Sequence, residues 1–117
     1  MIEVYGIPNC DTVKKARVWL TENHIEYTFQ DFKKVTIEDT TISSWIDAFG
    51  LDTVINKRGT TWRKLSDTDK TLCENAESAL PIILSNLSMV KRPIVSIDEK
   101  PVLIGFTTDD WAKQFQK

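Results

Sequence analysis

A cysteine, two arginines and a proline carry the chemistry this sequence can offer. Cys10 sits in "YGIPNCDTVKKARVWL" (Tyr5 to Leu20), where a loop containing Pro8 hands over to an amphipathic run beginning at Asp11. At such a junction the first N–H groups of a helix lack intrahelical partners, and their aligned dipoles favour an anion. Thiolate is the nucleophilic form of cysteine, so this position raises the reactive fraction at neutral pH. Lys14 and Lys15, one turn further on, add positive potential, while Asp11 opposes it. The competing reading is an inert buried thiol, as most lone intracellular cysteines are.

A nucleophilic thiolate needs a polarised electrophile, and two loops offer cations for it. Arg58 lies in "INKRGTTW", followed by Gly59, where a backbone can approach a ligand closely. Arg92 immediately precedes Pro93 in "KRPIV", at the mouth of a strand. A guanidinium presents paired donors that match carboxylate, phosphate-like or arsenate-like oxygens. Ordinary solvated charge is the alternative for both, and the preferred reading for Lys57, Arg63, Lys64 and Lys91. Pro93 reads either as a common strand-opening proline or as the site of a cis peptide after Arg92.

Other cysteine chemistries fit less well. The position that would complete C-x-x-C is Val13, so a local dithiol pair is excluded. Cys73 lies in the polar segment "DKTLCEN" and reads as a bystander before a distant resolving thiol. Two Cys and one His make a metal site improbable, and His24 suits the C-terminal end of a helix or the surface.

Positioning these residues requires a particular order of elements. "IEVYG" (Ile2 to Gly6) reads as a strand that ends on a breaker. From Asp11 the period becomes helical, with Val13, Ala16, Val18, Trp19 and Leu20 forming the apolar stripe. "IEYTFQDF" (Ile25 to Phe32) alternates as a second strand, so a right-handed crossover and a parallel pair follow. The middle is helical: Ile42, Trp45, Ile46 and Phe49 share a face that stops at Gly50, and a further helix is expected over Glu77–Leu87, with Pro81 near its start. Between them, Ile55–Leu65 reads as a loop or short turns. "IVSI" (Ile94 to Ile97), a turn at Asp98-Glu99-Lys100 and "VLIGF" (Val102 to Phe106) form an expected hairpin. A final helix follows, capped at Thr107 with Asp110 and with Trp111 and Phe115 facing inward.

The order β-α-β, helical middle, β-β-α predicts an α/β chain. It is that of a thioredoxin-like fold with a mixed four-stranded sheet and an all-helical insertion. A single domain over 1–117 is expected, with the core in 1–34 and 90–117 and the insert over about 36–89. A chain of 117 residues with 41% hydrophobic and 27% charged residues suits one globular domain. A net charge of −2 offers no global attraction to nucleic acid or an anionic membrane. "MIEVYG" lacks the features of a secretion signal, and two cysteines do not make a disulfide scaffold, so a reducing cytoplasm is expected.

Taken together, "YGIPNCDTVKKARVWL", "INKRGTTWRKL" and "KRPIV" followed by "VLIGF" resemble the arsenate reductase/Spx family of thioredoxin-like proteins, most closely its YffB branch. The resemblance spans essentially the whole chain and implies a catalytic cysteine at Cys10. Arsenate reductases of the family use that cysteine to attack arsenate held by arginines; glutathione displaces arsenite, and glutaredoxin resolves the mixed disulfide. Arg58 and Arg92 match two of three family arginines, and the third position falls at Gly105. YffB-type proteins share that departure, and for them a glutathione-dependent thiol reductase role is implied. The expectation is therefore a monothiol, glutathione-dependent thiol oxidoreductase with at most weak arsenate reductase activity. Cys10 is its catalytic residue, and Arg58, Arg92, Lys14, Asn9 and Pro93 bind glutathione or an oxyanion. Glutathione serves as co-substrate without a tightly bound cofactor, glutaredoxin is a candidate partner, and a small oxyanion or a disulfide is the substrate. The chain is expected to be a monomer that binds neither nucleic acid nor membrane. Spx-like members are instead regulators that bind RNA polymerase; on that alternative Trp45 and Trp62 become candidate anchors rather than insert core.

Overall fold

The computed structural model describes residues 1–117 and divides into two compact units, Met1–Val35 with Arg92–Lys117, and Thr36–Lys91. Its elements in order are β1 (Ile2–Gly6), α1 (Asp11–Glu22), β2 (Thr28–Asp31), α2 (Asp39–Phe49), α3 (Leu51–Val54), α4 (Thr60–Arg63), α5 (Asp67–Leu72) and α6 (Ala76–Ser85), then a 3-10 turn at Leu87–Met89, β3 (Ile94–Ile97), β4 (Lys100–Ile104) and α7 (Thr108–Phe115).

In the first unit the strands pair in the order β2-β1-β3-β4. β1 and β2 run parallel with Gly6 opposite Asp31, while β3 is antiparallel to both β1 and β4. This is the mixed four-stranded α/β sheet of a thioredoxin-like domain. Val4, Val95 and Leu103 from one sheet face meet Ala16 and Leu20 of α1 and Trp111 of α7. Trp19, Phe106 and Phe115 pack partly buried around that core, and the Trp111 indole N–H donates to the Gly105 carbonyl at 3.0 Å. Burying an indole requires such a partner.

Several boundaries differ from the sequence reading for identifiable reasons. Val18 is 55% exposed, whereas Val13, Ala16 and Leu20 are fully buried. At a helical pitch, position 18 turns away from the sheet. β2 starts at Thr28 rather than Ile25, because the Ile25 N–H donates to Leu20 and still belongs to the end of α1. β4 begins two residues early and ends at Ile104: Asp98 and Glu99 take φ values of 49° and 69° in a two-residue turn, and Gly105 leaves the strand at φ 71°.

In the second unit Ile42, Trp45 and Ile46 of α2 are buried together with Val54, Ala79, Ile83, Met89 and Val90. Trp45 is therefore core, while Phe49 and Trp62 are half-buried. Ile55 and Val90 form a short antiparallel bridge. Pro81 lies in the second turn of α6, not near its start, and supplies no N–H for the Glu77 carbonyl. Asn75 instead secures the helix by accepting from the Glu77 N–H at 2.9 Å. α5, unexpected in a polar stretch, starts where the Ser66 hydroxyl accepts from the Asp69 N–H. No helix is long and apolar enough to cross a membrane.

Two substitutions on α1 test these burial assignments. Leu20→Ala should cost about 2–5 kcal/mol, whereas Val18→Ala should stay within about 0.5 kcal/mol. Urea unfolding read as a shift in midpoint at constant slope measures both. Equal effects would mean that α1 presents a different face to the sheet.

Candidate active site

β1 delivers the chain to Cys10 through a close contact that only glycine permits. A Cβ placed on Gly6 would lie 2.9 Å from Cγ2 of Val13 and 3.3 Å from Cγ1, so the first turn of α1 seats directly on the strand end. From there Ile7–Cys10 forms a tight turn. The Cys10 N–H donates to the Ile7 carbonyl at 3.2 Å, and the Cys10 carbonyl accepts from the Lys14 N–H at 2.9 Å. Cys10 thus occupies the N-cap of α1, with extended backbone angles of −93° and 126°. It is half-buried.

Opposing effects set the acidity of this sulfur. Burial pushes the Cys10 thiol up, since removing water disfavours the anion. The Val13 N–H, the Arg92 guanidinium acting as both donor and charge, and the Thr12 N–H act in the other direction. Together they prevail and hold the thiol below its ordinary value. The two amides face the sulfur without meeting the geometry of a formal capping hydrogen bond. Arg92 reaches the site from the opening of β3, across a register that pairs Tyr5 with Ile94.

The remaining expected residues fall in different places. Asn9 is exposed in the turn before Cys10, and Lys14 is exposed on the first turn of α1. Arg92 is the cation that acts on Cys10. The Arg92–Pro93 peptide is cis, and buried Pro93 accepts from the Gly105 N–H at 2.8 Å.

Arg58 belongs to the second unit and is exposed. Its N–H donates to the Asn56 side-chain oxygen at 3.2 Å, and the Gly59 N–H donates to the Asn56 carbonyl at 3.1 Å. A Cβ on Gly59 would come within 3.3 Å of the Asn56 amide nitrogen, so this glycine makes room for Asn56.

Cys73 contrasts with Cys10. It is 3% exposed at the end of α5, and burial followed by the nearby Asp69 charge pushes its thiol up against a weaker effect of Lys57. His24 is exposed just past α1, with φ 57°. No group of three or more His, Cys, Asp or Glu side chains converges on a metal-sized point. An open cleft of about 710 Å³, lined by Met1, Ile2 and Ile25 to Thr28, lies at the other end of β1 from Cys10.

Sequence reasoning missed Gly6 as part of the site, reading it only as a strand breaker. The available signal was its spacing, four residues before the cysteine and seven before a β-branched residue on the inward helix face.

Alkylation of Cys10 by iodoacetamide should titrate with a midpoint below the ordinary thiol value of roughly 8.5, and Cys73 above it. Arg92→Ala removes a donor and a charge while burial persists, so its midpoint moves up. Gly6→Ala should also move it up by displacing the first turn, and Gly6→Ala with Val13→Ala should restore it. Mass-resolved labelling against pH measures all four; a midpoint unmoved by Arg92→Ala would remove the guanidinium from the account.

Comparison with known proteins agrees with this architecture. The ArsC family model matches residues 5–114. A solved structure of a YffB protein has a TM-score of 0.90 at 38% identity, covering 97% of each chain. The solution structure of an arsenate reductase (ArsC) related protein from Brucella melitensis has a TM-score of 0.76 at 37% identity, covering 99% of this chain and 95% of its own. The global transcriptional regulator Spx of Staphylococcus saprophyticus is 30% identical over 94% of this chain and 83% of its own. With the match running through nearly every element from β1 to α7, the chain belongs to the ArsC family.

Proposed function

We propose that the protein is a glutathione-dependent thiol oxidoreductase that works through one nucleophilic cysteine. The observation that carries this reading is the Cys10 sulfur, held acidic by two helix amides and the Arg92 guanidinium. The Cys10 thiolate attacks the glutathione sulfur of a mixed disulfide. A Cys10–glutathione disulfide forms, the old sulfur–sulfur bond breaks, and the substrate leaves as a thiolate. A second glutathione thiolate then attacks the adduct, releasing oxidised glutathione and restoring Cys10. Both steps exchange one disulfide for another, so electrons and sulfur bonds balance.

An external thiol is required because no second cysteine stands within the first turn of α1. The fourth position is Val13, fully buried against Gly6. Arg92 stabilises the anion in both steps, and Arg58 binds a glutathione carboxylate. Arsenate reduction is the minor activity on this reading. The place where the resemblance expects a third arginine is Gly105, whose φ of 71° side chains rarely adopt.

The Spx relative supports a second reading, a regulator that binds RNA polymerase without turnover. One assay separates the two. Oxidised glutathione should add one glutathionyl mass at Cys10, and reduced glutathione should remove it through repeated cycles on a glutathionylated peptide. Arg92→Ala should slow adduct formation by about tenfold at neutral pH, in line with a charged hydrogen bond, and Arg58→Ala should raise the glutathione concentration required. Equal adduct formation in all three proteins would remove both arginines from the mechanism. An adduct that forms once without turnover, with RNA polymerase retained on the immobilised chain, would favour the regulator.

A further inference from the structure

The segment Lys57–Lys70 of the second unit concentrates positive charge as no other part of the chain does. It holds five cations, Lys57, Arg58, Arg63, Lys64 and Lys70, against the two acids Asp67 and Asp69, leaving ten cations against fifteen acids elsewhere. The fold brings two of these cations to one ring. The Lys57 and Lys70 ammonium groups lie 5.5 Å and 6.0 Å from the centre of half-buried Trp62 on α4. Lys70 also donates to the Arg63 carbonyl at 3.4 Å, which ties α5 to α4. Lys57 pairs with Asp52 at 3.3 Å, but both partners are exposed and the pair contributes little. Arg58, Arg63 and Lys64 are exposed and pair with no carboxylate.

Holding like charges together costs repulsion that a bound anion relieves. The nature of that anion follows from the surroundings. Two ammonium groups already engage the Trp62 ring, which leaves it poorly placed to stack on a nucleobase. A long polyanion would also run from the patch onto a chain whose remaining acids outnumber its cations. A short run of carboxylates meets neither obstacle, and guanidinium groups take carboxylates in paired hydrogen bonds. We infer that α4 and its flanking residues form a docking surface for an acidic protein segment, in which Asp and Glu carboxylates engage Arg63 and Lys64 beside Trp62. The inference is independent of the chemistry at Cys10.

A dye-labelled peptide of about ten glutamates, titrated with the full chain at about 20 mM salt, tests it by anisotropy. Saturable binding is expected, weakened by about tenfold in Arg63→Glu/Lys64→Glu. Lys113→Glu/Lys117→Glu makes the same change in net charge outside the segment and should alter binding by less than about twofold. In the unsubstituted chain, the Trp62 indole and Arg63 amide resonances should shift on titration, which keeps the test independent of any variant. A labelled thymidylate of similar length should bind about tenfold more weakly than the peptide. Absence of saturable binding at low salt, equal losses in the two double variants, or tighter binding of the thymidylate would each overturn the proposal.

Discussion

A negative sulfur next to a folded core is held only if its neighbours replace the water it gives up. At Cys10 that replacement comes from two sources far apart in sequence. The amides of Thr12 and Val13 come from the helix that the cysteine itself opens, and the Arg92 guanidinium comes from the start of β3. Everything that brings these sources together is therefore part of the site. Gly6 sets how closely α1 can lie on β1, because any side chain there would collide with Val13. The antiparallel register of β1 and β3 sets where Arg92 emerges, since Tyr5 lies opposite Ile94. A one-residue slip of that pairing would turn the β3 side chains to the opposite face and carry Arg92 away from the sulfur.

The same packing decides what stands three residues after Cys10. Val13 occupies the place a resolving cysteine would take, and its side chain is fully buried where its amide faces Cys10. One residue thus closes the floor of the site with its methyl groups and stabilises the anion with its backbone. Both uses are compatible because a helix amide at the third position points back along the axis, whatever the side chain does. Gly105 has a related double role. Its left-handed φ ends β4, its N–H donates to Pro93 and its carbonyl accepts from Trp111, so it links the strand that presents Arg92 to the core of the first unit.

What could be read from sequence divides along a physical line. The Cys10 position was legible because a period change after a proline-containing loop marks a helix start, and helix starts have open amides. The parallel first pair and the terminal hairpin followed from alternating apolar residues and the handedness of the crossover. Features without such a local signature were not legible. Asp98 and Glu99 turn in two residues with positive φ, a conformation usually signalled by Gly or Asn, so the hairpin was read two residues late. α5 has no apolar stripe, and only the Ser66 and Asp69 cap announces it. The cation that acts on Cys10 lies 82 positions away in sequence, a separation no local pattern spans.

The two cysteines show how little burial alone decides. In both, loss of water is the largest effect on the thiol, and in both it works against the anion. For Cys73 the Asp69 carboxylate adds to the penalty and outweighs the opposing effect of Lys57. For Cys10 the neighbours are two amides and a guanidinium, and the balance reverses. Each thiol ends a helix, but at opposite poles: Cys10 caps the start of α1, and Cys73 follows the last turn of α5. A helix start offers unpaired N–H groups, whereas a helix end offers unpaired carbonyls that repel a thiolate. Thiol acidity in this fold therefore follows the groups around each sulfur: two amides and a guanidinium outweigh burial at Cys10, whereas the Asp69 carboxylate adds to it at Cys73.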